Sequence, residues 1–322
     1  FFNYGNPMSA VCRGVRKATG ADMTGLCHGV IHVAGYLAGL LGVPPRRLTY
    51  TAVGINHLTW LTDIRVGGKD AMPQLLKLAD ERKPHATKKG RLGQQFAEAG
   101  TAARGKTPDV DNPFTWELVH LFHAFPAVLD RHVMEFFPHI FGRERSYYGK
   151  TPGVDAYSLE GAIQYGAMIF EEMKKVARSS RPLPSDYFDK LSGEHEQVTD
   201  IIESIRKNSG RVFSANLPNR GQVPNLPLDA VIECPAIADR KGVRAIRQKP
   251  MAPGLAGTLA TRFQWVETVV EAATEGDRRK FVQALLLDGA VTNVDTAWKL
   301  ADELLAAQAA YLPQFRKRGR KS

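Results

Sequence analysis

The order of apolar and polar positions splits the chain into a strand-containing opening and a long, mainly helical remainder. The opening run FFNYGNPMSAVCRGVRKATG reads as the end of a buried strand, a turn and a helix. Asn6 can cap that helix, Pro7 suits its first position, and Gly20 closes it. A domain seldom starts in the last residues of a core strand, because the strand's backbone groups would lack partners, so an upstream portion is expected to be missing. Residues 29–42 predict a helix of small residues ended by Gly42 and Pro44, and 48–66 predict two alternating strands around a GINH turn.

Residues 80–112 are polar and glycine-rich and predict a loop or insertion. Helical periodicity resumes over 115–137, 158–178 and 184–207. A strand pair is expected at 211–216 and 229–233, joined by the turn-rich NRGQVPNLP. Helices over 254–274, 277–288 and 292–311 complete the chain. The pattern is α/β at the start and α+β afterwards. No internal repeat is visible, and no Gly-x-Gly-x-x-Gly run marks a dinucleotide site.

With 322 residues, 43% of them hydrophobic and 24% charged, the chain can bury one large core or two modest ones. Cys12, Cys27 and Cys234 are too few and too scattered for a disulfide framework, which fits a reducing cytoplasm. No apolar run approaches the roughly 18 residues of a membrane span, and no signal peptide opens the chain. The net charge of +10 concentrates in 81–106 and in the closing FRKRGRKS. Those runs read as solvated loop and tail, and no aromatic residues interleave with them as a nucleic-acid platform needs.

Two stretches carry candidate chemistry. Thr24-Gly25-Leu26-Cys27-His28-Gly29 places Cys27 where a helix opens, so the backbone dipole favours a thiolate, and thirty residues later Gly54-Ile55-Asn56-His57 supplies an imidazole. Cys27 and His57 suit a borderline divalent ion that keeps open positions for a substrate. The alternative is a buried small Cys27 and a hydrogen-bonded loop His57. The second stretch, FPAVLDRHVMEFFP, packs Asp130, Arg131, His132 and Glu135 into six residues. In a cleft, Asp130 or His132 can take a proton and Arg131 can grip a carboxylate; otherwise they form an ordinary charged helix surface. His32, His139 and the pair His120/His123 offer no third metal ligand, and Glu233 at a strand end can reach a site or simply stay solvated.

NPM near a strand end, then GLCHG, GINH, DRHVMEFFP, NLPLDAVIECP and a helical close on LPQF together resemble glycoside hydrolase family 4 over nearly all of 3–315. The resemblance implies a remnant of a Rossmann NAD-binding domain at 1–47, followed at 48–322 by a lactate-dehydrogenase-like α+β catalytic and oligomerisation domain. It implies oxidoreductive hydrolysis of O-glycosides with NAD and a divalent metal, Mn2+ by preference, outside the two-carboxylate scheme of most glycosidases. Cys27 and His57 correspond to metal ligands, Asn6 to a residue touching sugar and near the nicotinamide, and Asn56 to a contact with sugar or metal-bound water. His28 stands where phospho-glycosidase members carry an acid, and Asp130, with His132 as alternative, stands in the region of their C2 base. DRHVMEFFP is most similar to the α-galacturonide branch, in which Arg131 would bind the uronate. A cytoplasmic homo-oligomer, dimer or tetramer, is also implied, with no nucleic-acid or membrane partner. Two other readings remain: a 2-hydroxyacid dehydrogenase, and a truncated remnant that only binds or oligomerises.

Overall fold

The computed structural model describes residues 1–82, 112–138, 147, 151, 153–154, 157–185, 187 and 197–316. Its frame is a mixed sheet. The strands, in chain order, are β1 (Phe2–Asn3), β2 (Thr24–Gly25), β3 (Leu48–Ile55), β4 (Leu58–Val66), β5 (Lys69–Asp70), β6 (Phe125–Pro126), β7 (Arg211–Pro218), β8 (Val231–Asp239) and β9 (Gly242–Ala245). They run in the order β1-β2-β7-β8-β3-β4-β5, with β6 paired to β4 and β9 to β8. Only β1 and β2 are parallel; the other pairs are antiparallel.

The helices are α1 (Met8–Thr19), α2 (Gly29–Leu40), α3 (Met72–Glu81), α4 (Pro113–Phe122), α5 (Asp130–Val133), α6 (Leu159–Ala177), α7 (Val198–Lys207), α8 (Pro253–Glu275), α9 (Arg278–Asp288) and α10 (Val294–Ala307). One face of β3 and β4 joins Val53, Ile55 and Trp60 to Phe114 and Leu118 of α4 and to Leu259, Phe263 and Val266 of α8. The other face joins Leu61 and Ile64 to Val30, Val33 and Leu37 of α2 and to Leu75 of α3. Burying such side chains stabilises by about 1.5–3 kcal/mol each, so the sheet is held from both sides.

α1 follows Pro7 and stops at Gly20, whose φ of +72° forms the left-handed cap expected of that position. The segment 1–47 contributes β1 and β2 to the common sheet, where Gly25 pairs with Asn216 of β7. α1 lies on α8, with Arg13 bound to Glu267 and Lys17 to Glu271. β1 stands at one end of the strand order, beside β2.

The helix expected over 115–137 is broken. His123 turns left-handed at φ +49°, and Phe125–Pro126 leaves the helix to pair with Leu61 and Trp60. Proline cannot supply the helical N–H, which makes this the natural break. The helix expected over 184–207 is described only as α7; most of its first half, like most of the basic runs at 81–106 and 315–322 and like His139, lies outside the described residues. α2 buries six of its twelve residues in the core and presents no open apolar face. α6 instead exposes Leu159, Ile163, Met168, Phe170 and Met173. No described helix is long and apolar enough to cross a membrane.

Candidate active-site cleft

The expected GINH turn forms a tight hairpin, with Asn56 and His57 alone between β3 and β4. Only glycine fits at 54, because a Cβ there would stand 2.3 Å from the Leu58 carbonyl oxygen. His57 adopts φ +66°, and the turn places it on a cleft of about 430 Å³. Asn6, Ser9, Asn56, His57, His132 and Arg262 all line that cleft. The His57 ring stacks on His132, with centroids 4.5 Å apart and planes 25° apart. Burial pushes the His57 pKa down to about 3, and the nearby positive ends of His132, His28 and Arg131 push it the same way. Its imidazole is therefore neutral at physiological pH, the form that ligates a metal.

Cys27 lies just before α2 and is 6% exposed. The Gly29 N–H donates to its Sγ at 3.4 Å, and Gln197 Nε2 donates to its carbonyl at 3.1 Å. Gly25, two residues earlier, must be small, since a Cβ would meet Met8 Sδ at 2.8 Å and Asn216 Cβ at 2.9 Å. Cys27 thus sits at a helix start with an N–H aimed at its sulfur, in a pocket with Met8, Cys12 and Val231. His28, its neighbour, is half-buried and within electrostatic reach of His57. None of the three cysteines is in a disulfide. Among the described residues no three His, Cys, Asp or Glu side chains converge as a metal cage.

Asp130, expected as the base, is not among the residues that line the cleft. It is completely buried, and its oxygens accept from Phe114 N at 3.0 Å, Thr115 N at 2.7 Å, Thr115 Oγ1 at 2.6 Å and the Tyr147 hydroxyl. Phe114 and Thr115 are in the first turn of α4, whose N–H groups have no intrahelical acceptor. Asp130 caps that helix from a distance. Burial lifts its pKa to about 6 against the pull of these donors. Tyr147 is itself buried, and burial with the facing Asp130 raises its pKa.

Two residues on, His132 lines the cleft, with Nδ1 3.5 Å from Glu135 Oε1. Arg131 is exposed and is not a wall of the cleft. His120 lies 3.6 Å from Asp80, while His123 caps α4 in a left-handed turn, so the pair forms no metal site.

Three further residues shape this region. Glu233, 2% exposed within β8, accepts from Thr59 Oγ1 at 2.7 Å and Ser214 Oγ at 3.3 Å; burial raises its pKa while Thr59, Ser214 and Asn56 oppose that. Arg262 of α8 is 7% exposed and donates to Phe136 O at 2.8 Å and Asp288 O at 2.9 Å, tying the turn after His132 to the end of α9. The sequence carried a signal for it: a charged residue on the apolar stripe of Leu255, Leu259, Phe263 and Val266. Trp265 also lines the cleft.

The family 4 glycosyl hydrolase C-terminal domain matches residues 52–291, and the chain belongs to that family. An alpha-galactosidase of Rhizobium meliloti (strain 1021) is 29% identical over 98% of this chain and 61% of its own length. An alpha-galacturonidase of Bacillus subtilis (strain 168) is 28% identical over 89% of this chain and 62% of its own length. The chain therefore spans about three-fifths of these relatives. A solved 6-phospho-alpha-glucosidase from gut microorganisms, in complex with NAD and Mn2+, shares the fold at a TM-score of 0.72 and 18% identity, covering 97% of this chain and 68% of that one.

Proposed function

We propose that this chain forms the metal-holding and substrate-holding part of an NAD- and divalent-metal-dependent glycosidase. The observation that carries the reading is the Asn56–His57 turn, which sets a neutral imidazole on a cleft, stacked on His132 and within electrostatic reach of His28, the neighbour of Cys27. A thiol beside a helix start and a neutral ring nitrogen are a donor set that can hold a divalent ion. When bound, NAD supplies reversible oxidation at sugar C3 and the metal supplies Lewis acidity toward the neighbouring oxygens.

The chain's own residues then divide the work. Cys27 and His57 hold the metal. Asn6 and Asn56 orient sugar hydroxyls from two walls of the cleft. His132 accepts the C2 proton, with Glu135 turning its ring, because Asp130 is committed to α4. His28 delivers a proton to the departing oxygen. Asn6 is the one residue assigned to the nicotinamide side, and this sequence contains no glycine-rich pyrophosphate turn. Likeness to the alpha-galacturonidase supports α-galacturonides as the substrate, and the exposed apolar residues of α6 support a homo-oligomer.

Cobalt tests the reading without any turnover. Co2+ added to the chain should give a thiolate-to-metal charge-transfer absorption that disappears in Cys27→Ser and weakens strongly in His57→Asn. An absorption unchanged by either substitution, or none in the parent chain, removes the metal assignment.

A further inference from the structure

The hairpin that carries Asn56 and His57 joins the rest of the sheet along a thin seam. β3 meets β4 in seven registered pairs and β7 meets β8 in eight, but β3 meets β8 in one, Gly54 with Glu233. Gly54 brings no side chain to that pair. Glu233 brings a carboxyl that reaches three elements: Oε2 accepts from Thr59 Oγ1 of β4 at 2.7 Å, Oε1 accepts from Ser214 Oγ of β7 at 3.3 Å, and the Asn56 side chain bonds the same carboxyl from the turn.

This carboxyl sits where an acid is costly. Glu233 is 2% exposed, and among the described residues its hydrogen bonds go to two hydroxyls and an amide, with no cation beside it. An apolar side chain would serve the middle of a sheet better, so the acid answers a demand for orientation. Asn56 supplies that demand. An amide donates to a carboxyl oxygen only through its nitrogen, and Asn56 Nδ2 is buried. The amide oxygen is then the atom left for the cleft that Asn56 lines, and His57 is the other residue of the same turn.

We infer that Glu233 is a positioning residue of the cleft, which fixes the Asn56 amide with its nitrogen inward and its oxygen toward the cleft and, through that turn, holds His57 in place for a metal. The inference rests on the glycosidase reading above and deepens it. At Asn56 the cleft presents an acceptor, so whatever meets it there must donate, as a sugar hydroxyl or a metal-bound water does.

Two readouts on the 322-residue chain test this, and the first needs no metal. In the isotope-labelled chain, the Asn56 side-chain amide, identified by its absence in Asn56→Ser, should exchange with water at least about ten-fold more slowly than exposed amides. Glu233→Gln should keep that protection, because its amide oxygen can serve Asn56 and Ser214 while its nitrogen donates to Thr59 Oγ1, whose own hydrogen has Ile55 O at 3.1 Å. Glu233→Met, similar in length but without an acceptor, should lose it. The second readout is Co2+ affinity from the thiolate-to-metal absorption, which should stay within about two-fold of the parent in Glu233→Gln and fall by about ten-fold or more in Glu233→Met. An Asn56 amide that exchanges as fast as exposed ones in the parent, or that stays protected in folded Glu233→Met, overturns the inference. Unchanged Co2+ affinity in folded Glu233→Met overturns the hold on His57. Should Glu233→Met fail to fold, Glu233→Gln decides, since protection lost in that variant also overturns the inference. A parent chain that protects the Asn56 amide but shows no Co2+ absorption supports the placement of Asn56 and removes the metal reading instead.

Discussion

Asp130 and His132 are two residues apart in one short motif, and the fold gives them opposite lives. Asp130 turns inward and spends both oxygens on the start of α4 and on Tyr147. His132 turns outward, stacks on His57 and borders the cleft. The inward acid has no capacity left for a substrate, whereas the outward ring keeps its partners loose, at 3.5 Å from Glu135 and stacked on a neighbour. An ionisable residue in a chemically rich motif is therefore not a site residue until its hydrogen-bond partners are counted.

The largest break in that comparison comes from Asp130. Asp130→Ala leaves two buried backbone N–H groups and two hydroxyls without their acceptor, and should cost about 3–5 kcal/mol in urea unfolding. Asp130→Asn keeps one acceptor oxygen and should cost about 1–3 kcal/mol. An alanine variant as stable as the parent would mean that α4 does not depend on this cap.

A smaller effect is written in pH. Burial raises the Asp130 pKa from 3.8 to about 6, so its stabilising contribution is complete below the unfolded value and is lost as pH rises through the folded one. The stability advantage of the parent over Asp130→Asn should shrink by on the order of 3 kcal/mol from about pH 4 to about pH 7. His57 acts in the opposite sense, since its depressed pKa lends stability above 6.5 that is lost on acidification. Both proteins contain His57, so subtracting one from the other removes its share. An advantage that grows with pH would contradict a desolvated Asp130.

Much of this arrangement was legible in the sequence, and for local reasons. Pro7 and Gly20 bracket α1, and GINH between two alternating runs gives the hairpin that carries His57. The fate of Asp130 was not legible, because it depends on where α4 starts, fifteen residues upstream of it by the Thr115 bond. No periodicity within DRHVMEFFP carries that information. The same holds for Glu233, which reads as a charge at a strand end until Thr59, Ser214 and Asn56 are seen to converge on it. The break at Pro126 could have been read directly, since a proline in the middle of the proposed helix 115–137 argues against its continuity.

The finest test of the contrast lies at His57, where backbone and side chain make separate demands. Its φ of +66° is a conformation that asparagine and glycine adopt readily and that a Cβ without a compensating polar group resists. The side chain itself is held by stacking on His132 and by partial burial, with no hydrogen bond comparable to those at Asp130. His57→Gly and His57→Asn should therefore stay within about 1 kcal/mol of the parent, while His57→Ala should lose roughly 1 kcal/mol more than either through backbone strain alone. Thermal unfolding of the three variants in the absence of metal gives the order directly. A loss above about 3 kcal/mol in His57→Gly would place the imidazole with Asp130, as a structural group whose removal opens the core. Glycine above alanine, with both near the parent, is the order expected of a residue kept for what it binds rather than for what it holds up.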